Sequence, residues 1–248
     1  EENCSLVGVS EHWLYDQEPE TLTIQNFSTK SYYSRKPSKH GGSLILSRND
    51  VNCKSIEQLT QLSVENHCEV SAVSVSIIGV VFINLYRPPS GDFDLFLNVL
   101  SKLFGISNSL ELNVVLAGDY NVRFDYDNQQ KNLLCDFMRC HGLEYIVNFP
   151  TRKDSCLDNI FTNIDSSHYE ISPVKVQISD HQSAIKLNLK LSTSSNRKLL
   201  TQKTIRPITE LGKNNLHNSL TTVDWSFVDD TSLDINIKFS RFTEIVTY

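Results

Sequence analysis

Apolar and polar positions along the first three quarters of the chain predict a series of short strands interrupted by two helices. Residues 5–9, carrying Leu6-Val7-Gly8-Val9, form the first strand, and 43–47 form another after the Gly41-Gly42 turn. Residues 69–76 and 78–86 are rich in β-formers and meet around Gly79, which predicts a hairpin. Arg87-Pro88-Pro89-Ser90-Gly91 then stops the strand. Phe93, Phe96, Leu97, Leu100, Leu103 and Phe104 recur at helical spacing and make one apolar stripe, with Asp92 placed to cap its N-terminus. A buried strand follows at 112–117. A second helix spans 128–141, with Leu134, Phe137 and Met138 inward and Gly142 at its C-cap. Further strands are predicted at 144–148, 158–163, 170–177 and 184–191. In the last of these Ile185, Leu187, Leu189 and Leu191 alternate with polar residues.

Many strands with few helices imply an α/β fold: a two-sheet β-sandwich flanked by helices, in four layers α/β/β/α. The pattern changes after residue 191. Ser192-Thr193-Ser194-Ser195-Asn196-Arg197-Lys198 reads as a polar linker, and 207–245 read as helical with Trp225 between two weakly periodic segments. The expected division is therefore 1–191 for the main domain and 192–248 for a linker and partly helical connector. No internal repeat is present.

A length of 248 residues suits one large domain or one domain with an appendage. A hydrophobic content of 40% and a charged content of 21% are ordinary for a globular protein. No run approaches the ~18 apolar residues of a membrane-spanning helix, so no membrane partner is expected. The net charge of −6 excludes a globally basic nucleic-acid binder but leaves room for a local basic groove. The cysteines at 4, 53, 68, 135, 140 and 156 are scattered without a Cys-x-x-Cys pair, so reduced thiols are expected rather than a zinc site or a disulfide framework.

Chemistry concentrates where predicted strands begin or end. Gly118-Asp119-Tyr120-Asn121 follows the apolar run 112–117, Ser179-Asp180-His181 precedes the last strand, and Ser10-Glu11-His12 follows the first. A hard cation such as Mg²⁺ takes oxygen ligands and keeps several waters, so one or two carboxylates plus a substrate phosphate suffice. Glu11 and Asp180 are the candidate ligands. Asp119 and Asn121, two apart, would share a face of an extended segment and could orient an attacking water. His181 could stabilise phosphoryl oxygens or move a proton near neutral pH. Asp158 lies inside the apolar Leu157-Asp158-Asn159-Ile160-Phe161, and a buried carboxylate needs a partner. Pairing with His181 would supply one and would also fix the imidazole tautomer.

The order Ser-Glu-His-Trp-Leu, Tyr-Arg-Pro-Pro, Gly-Asp-Tyr-Asn, Leu-Asp-Asn-Ile-Phe-Thr and Ser-Asp-His resembles the endonuclease/exonuclease/phosphatase superfamily. More narrowly, it resembles the apurinic-type endonuclease domain of non-LTR retrotransposons of the jockey kind, over roughly residues 5–190. Asp224-Trp225-Ser226 in the tail resembles the connector towards the reverse transcriptase of such elements. The resemblance implies a metal-dependent phosphodiesterase that nicks DNA for target-primed retrotransposition, with Mg²⁺ or Mn²⁺ as cofactor. Its partners would be double-stranded DNA and the reverse transcriptase domain of an intact element, and its location the nucleus. Carried over residue by residue, Glu11 and Asp180 would bind metal, and Tyr86 would contact the scissile phosphate. Asp119 would activate water, Asn121 would orient it, and Asp158 would support the catalytic His181. Thr151 and Ser155 lie in the stretch that approaches the DNA backbone.

The pattern departs from the family in two places. The family begins with a strand ending in an asparagine ahead of the glutamate motif. Here ten residues precede Glu11 and Asn3 stands too close to serve, so the chain is expected to lack that strand. The polymerase expected beyond the connector is also not encoded in these 248 residues. Two other functions stay open: a catalytically inert retroelement remnant acting at most as a binding module, and a phosphatase acting on lipid or inositol phosphates.

Overall fold

The computed structural model describes residues 4–36, 39–178, 181–190 and 210–247, with the backbone alone at 177, 178, 181, 182, 210–213, 246 and 247. The chain divides into two compact units, Glu1–Lys203 and Thr204–Tyr248.

In the first unit, β1 (Leu6–Ser10), β2 (Phe27–Tyr33) and β3 (Ser43–Arg48) form an antiparallel sheet in the order β1-β3-β2. A six-stranded sheet runs β4-β5-β6-β7-β9-β8. Its strands are β4 (Lys54–Ser55), β5 (Glu69–Val75), β6 (Val80–Tyr86), β7 (Asn113–Asp119), β8 (Glu144–Tyr145) and β9 (Asp158–Thr162). The short helix α1 (Glu57–Thr60) precedes β5. The β6/β7 pair is parallel and the other pairs are antiparallel. A parallel pair needs a crossover of a dozen or more residues, here supplied by α2 (Phe93–Ser109). Helix α3 (Gln129–Cys140) links β7 to β8. Strands β10 (Tyr169–Ile178) and β11 (His181–Leu189) pair with each other in a separate hairpin.

One buried cluster joins the strands to the helices. Val81, Ile83 and Leu85 of β6 and Leu116 of β7 belong to it, together with Phe96, Leu100 and Leu103 of α2 and Leu134 and Met138 of α3. The predicted apolar stripe of α2 is thus the side it buries. Asp92 caps the helix by accepting from the Leu95 N–H at 2.7 Å. Asn128 caps α3 in the same way, and Gly142 takes the left-handed conformation after its last turn.

The seam between the two sheets is polar instead. Ser43 Oγ donates to the Asn84 carbonyl at 2.9 Å and shares a 2.8 Å hydrogen bond with Ser71 Oγ. Asn84 Nδ2 donates to the Val9 carbonyl and to Ser43 Oγ. A side chain at Gly8 would collide with Asn84, so the glycine lets β1 lie against β6.

Mixed α/β structure with sheets flanked by helices is what the sequence pattern predicts; two of the local differences have a clear physical reason. Strand β2 is not foreseen, because Phe27-Ser28-Thr29-Lys30-Ser31-Tyr32-Tyr33 lacks apolar alternation. Its inward position is Ser31, which is bonded to Thr60 and to the Ala72 N–H. The strand expected over 144–148 ends at Tyr145 because the Asn159 side chain takes the place of a backbone partner. It accepts from the Val147 N–H at 3.0 Å and donates to the Val147 carbonyl at 3.1 Å.

The second unit contains α4 (Glu210–Thr221), α5 (Ser226–Asp229) and α6 (Ile235–Thr247). Trp225 stacks near Phe227 and Phe242, and its Nε1 donates to the Leu220 carbonyl at 2.9 Å. The expected linker over 192–198 lies outside the described residues. Among those that are described, no helix is long and apolar enough to cross a membrane, and the six cysteines are free thiols.

Candidate active site

Strand register alone places four polar side chains in a row. Glu69 of β5 stands opposite Tyr86 of β6, Tyr86 opposite Asp119 of β7, and Asp119 opposite Asp158 of β9. Residues directly opposite in a ladder point to the same face, so the row presents three carboxylates and a phenol along one edge of the sheet.

The loop after β7 is held from three sides. Gly118 has φ +147°, and a Cβ there would run into the backbone of Leu85. The glycine therefore permits close β6–β7 approach immediately before Asp119. Tyr120 is fully buried, donates to the Leu116 carbonyl at 3.0 Å, and packs edge-on against Phe96, Phe124 and Phe161. Asn121 adopts a left-handed conformation with φ +48°. Asp119 and Asn121 therefore do not share a face of an extended segment, as the spacing predicts. The chain turns instead, and the Asn121 N–H donates to Asp119 Oδ1 at 2.8 Å. Asn121 Nδ2 donates to the Arg87 carbonyl at 2.7 Å. The Arg87 side chain is buried and returns bonds to the carbonyls of Tyr120, Asn121 and Gly91.

Glu11 arrives from the other sheet. Ser10 Oγ donates to the Leu85 carbonyl at 2.8 Å, tying the end of β1 to the end of β6. Glu11 and Trp13 have φ +60° and +57°, a conformation unfavourable for non-glycine residues. Two backbone bonds hold them there: Glu11 N–H to the Gly42 carbonyl at 2.8 Å and Trp13 N–H to the Gly41 carbonyl at 3.1 Å. His12 Nδ1 accepts from the Leu14 N–H, so its proton resides on Nε2, 2.9 Å from the Tyr33 carbonyl. Burial lowers its pKa, and the ring acts as a neutral brace of this turn. The Glu11 carboxylate lies near the Tyr86 hydroxyl at the end of the row, close enough for its charge to act on the phenol.

Crowding of acids in a poorly solvated place governs the electrostatics. Asp119 is 4% exposed. Burial, then the charge of Asp158 and, less strongly, that of Glu11 push its carboxyl up to about 8, while the Asn121 N–H and Arg152 oppose the rise. Burial and the Glu11 carboxylate likewise raise the Tyr86 phenol, which stays protonated as a donor.

Glu11, Tyr86, Asp119, Asn121 and Asp158 are thus brought together from four separate stretches of sequence. Asp180 lies outside the described residues. His181 is described only in its backbone, paired with Ile178, so its pairing with Asp158 lies outside them too. Thr151 is fully buried, and its hydroxyl accepts from the Leu157 and Asp158 N–H groups at 3.3 and 3.2 Å. Thr151 thereby shapes the turn that delivers Asp158. Ser155 is half-buried and closes the same turn through its backbone bonds with Arg152 and Thr151. Among the described residues no three His, Cys, Asp or Glu side chains converge tightly enough to hold a metal by themselves. Sequence reasoning did not single out Arg87 as the clamp of the Asp119 loop, nor the buried pair Arg35–Glu69. For Glu69 and Arg87 the advance signal is a charged residue at the end of an apolar strand; Arg35 follows a polar strand and had none.

The model of the Endonuclease/Exonuclease/phosphatase family matches residues 2–181. Among solved structures, the endonuclease domain of TRAS1, a telomere-specific non-LTR retrotransposon, superposes with a TM-score of 0.59 at 14% identity. The match covers 75% of this chain and 86% of that one. The cytolethal distending toxin of Haemophilus ducreyi matches with a TM-score of 0.48 at 16% identity, covering 75% and 85% of the two chains. The catalytic domain of Xenopus laevis APE2 gives 0.48 at 10% identity, covering 77% and 86%. No curated protein matches the chain.

Proposed function

This chain belongs to the endonuclease/exonuclease/phosphatase family, and we propose that the cluster of Glu11, Tyr86, Asp119, Asn121 and Asp158 hydrolyses a phosphodiester of double-stranded DNA, nicking one strand. The observation that carries the reading is the row Tyr86–Asp119–Asp158 at the sheet edge, with the Glu11 carboxylate beside the Tyr86 hydroxyl. Asp119 is held at the sheet edge by the Asn121 N–H, and its carboxylate can take a proton from water once a cation offsets the charge of its neighbours. Asn121 has given one amide N–H to the Arg87 carbonyl, and its other N–H and its Oδ1 remain to orient that water. As the water oxygen bonds to phosphorus its proton passes to Asp119. The phosphorus–oxygen bond to the sugar 3′ oxygen breaks, and that oxygen takes a proton from bulk water, leaving a 3′-hydroxyl that a polymerase could extend. His181, supported by Asp158, would face the developing charge.

The residues fit a hard divalent cation, Mg²⁺ or Mn²⁺. The donors are carboxylate oxygens, with Asp119 and Asp158 directly opposite each other in the ladder, and a hard cation relieves such crowding of acids. Glu11 and Asp180 would hold it, with substrate phosphate and water completing the shell. When bound, such an ion supplies Lewis acidity that stabilises negative charge on the phosphate oxygens. The likeness in fold to a retrotransposon endonuclease domain supports a role in target-primed retrotransposition, beside the reverse transcriptase of an intact jockey-like element and in the nucleus.

The test is a supercoiled-plasmid assay across a Mg²⁺ titration, with Asp119→Asn as control. Metal-dependent conversion to open circles, absent in the control, is expected. Release of phosphate from phosphoinositides without plasmid nicking would instead identify a lipid phosphatase. DNA retention without either reaction would identify a binding remnant.

A further inference from the structure

A buried ion pair lies behind the site, and its geometry is not that of a pair built for stability alone. Glu69 is fully buried and Arg35 is 8% exposed. Arg35 Nε donates to Glu69 Oε1 at 2.5 Å. An arginine and a carboxylate left to themselves adopt a two-pronged arrangement. Here the second oxygen, Oε2, accepts from the Gly42 N–H at 2.5 Å instead. Arg35 Nη2 is buried without a hydrogen-bond partner among the described residues. The carboxylate is therefore turned away from its own cation to grip the Gly41-Gly42 turn.

That turn carries Glu11. The Gly42 carbonyl accepts from the Glu11 N–H, and the Gly41 carbonyl accepts from the Trp13 N–H. Gly41 and Gly42 have φ +86° and +95°, so the turn is restricted to glycine and its placement is sharply defined. Side chains there would strike Arg35 and His12 respectively. Glu69 also stands opposite Tyr86 in the ladder, and the Arg35 guanidinium carbon lies 5.9 Å from the Tyr86 ring centroid. Glu69 thus touches both halves of the Glu11–Tyr86 contact, one through Gly42 and the other through its strand.

We propose that Glu69, oriented by Arg35, is a positioning residue that fixes the Glu11 carboxylate for metal binding by tethering the Gly42 N–H; this rests on the nicking function proposed above. Removing one member of a buried ion pair leaves an uncompensated charge, so the test uses charge-neutral double variants of the full chain. Glu69→Gln with Arg35→Met keeps an oxygen acceptor for Gly42. Glu69→Leu with Arg35→Met removes it. Mn²⁺ binding followed by electron paramagnetic resonance should stay within about threefold of the parent in the Gln pair. It should weaken by about 10-fold or more in the Leu pair, as loss of a ligand-orienting partner does, with nicking falling in parallel and cooperative melting retained. Equal Mn²⁺ affinity in both pairs, whether parental or equally lost, would overturn the tether.

If the Leu pair does not fold, Glu69→Asp, which keeps the charge beside Arg35 but shortens its reach, carries the same expectation. A folded Glu69→Asp with parental Mn²⁺ affinity would also overturn the proposal. If the parent itself neither binds Mn²⁺ nor nicks, the nicking function fails instead. Amide hydrogen exchange at Gly42 and Glu11 then still decides the tether. Faster exchange is expected in the Leu pair than in the Gln pair, and equal exchange refutes it.

Discussion

Replacing Asp119 by Asn should abolish nicking and stabilise the fold, and the stabilisation should grow with pH. The Asp119 carboxyl is raised from 3.8 to about 8. Between those values the folded state keeps a proton that the unfolded state releases, so the folded state binds more protons and stability falls as pH rises through this window. Above about pH 8 both states are ionised and the penalty is fully developed. At about 1.4 kcal/mol per pH unit the ceiling on that penalty is about 6 kcal/mol. Local relaxation and water penetration reduce such buried-charge penalties, so about 2–4 kcal/mol is expected. Asn removes the charge while its Oδ1 keeps the 2.8 Å bond from the Asn121 N–H. Its amide N–H₂ would lie beside Asp158 as a donor in place of a repelling charge. For a domain of this size the gain corresponds to roughly 5–10 °C in Tm at pH 8, and to less than about a third of that at pH 5. Paired thermal melts of parent and variant at pH 5, 6.5 and 8, without divalent cations, measure it. A variant that melts below the parent at pH 8, or a difference independent of pH, would refute the electrostatic account of the cluster.

Tyr86→Phe removes the hydroxyl that stands beside Glu11; nicking should fall about 10- to 100-fold with a stability change near 1 kcal/mol, read by plasmid assay and urea titration. Arg87→Met leaves the carbonyls of Tyr120, Asn121 and Gly91 without their buried donor and should destabilise by about 3 kcal/mol, with faster amide exchange at Asn121. Gly118→Ala forces a Cβ into the Leu85 backbone at a φ of +147°; it should cost more than about 3 kcal/mol and yield little folded protein, a cooperative melt at the parental temperature contradicting this. Thr151→Val removes the acceptor for the Leu157 and Asp158 N–H groups; it should lower stability by about 1–3 kcal/mol and reduce nicking without changing the salt dependence of DNA binding, since Thr151 is buried.

Elements whose apolar faces meet the helices were legible because burial writes a period into the sequence. The stripe of α2 and the runs of β6 and β7 are of this kind. Strand β2 was not legible, because the seam it faces is filled by Ser31, Ser43, Ser71 and Asn84 and so leaves no apolar alternation. Candidate residues for the site were singled out by motif and strand-edge position, but their mutual arrangement was not legible. Nothing in the one-dimensional spacing says that Asn121 turns back on Asp119, or that Thr151 faces inward. Those outcomes depend on a left-handed backbone and on a loop closed by Arg152 and Ser155. Glu69 and Arg35, 34 positions apart, are joined only by the packing of one sheet on the other.

The site owes its existence to a topological exception. Among the described strands β6 and β7 form the one parallel pair, so both end at the same edge of the sheet and place Tyr86 beside Asp119. Their antiparallel neighbours begin where these strands end, which adds Glu69 from the start of β5 and Asp158 from the start of β9. A slip of one residue at any of these ladders would turn a member of the row to the opposite face, towards Val70, Leu85 or the other side chains of the helix-facing core. The register is therefore the element under strongest constraint. Gly118, the Tyr120 anchor and the Arg87 clamp all fix the β6–β7 junction, within two residues of either strand's end. The β1 side is tied to the same junction through Ser10 and the Leu85 carbonyl. Rigid backbone at one point of the sheet, and not the individual acidity of any residue, is what makes a cluster of mutually repelling carboxylates persist there.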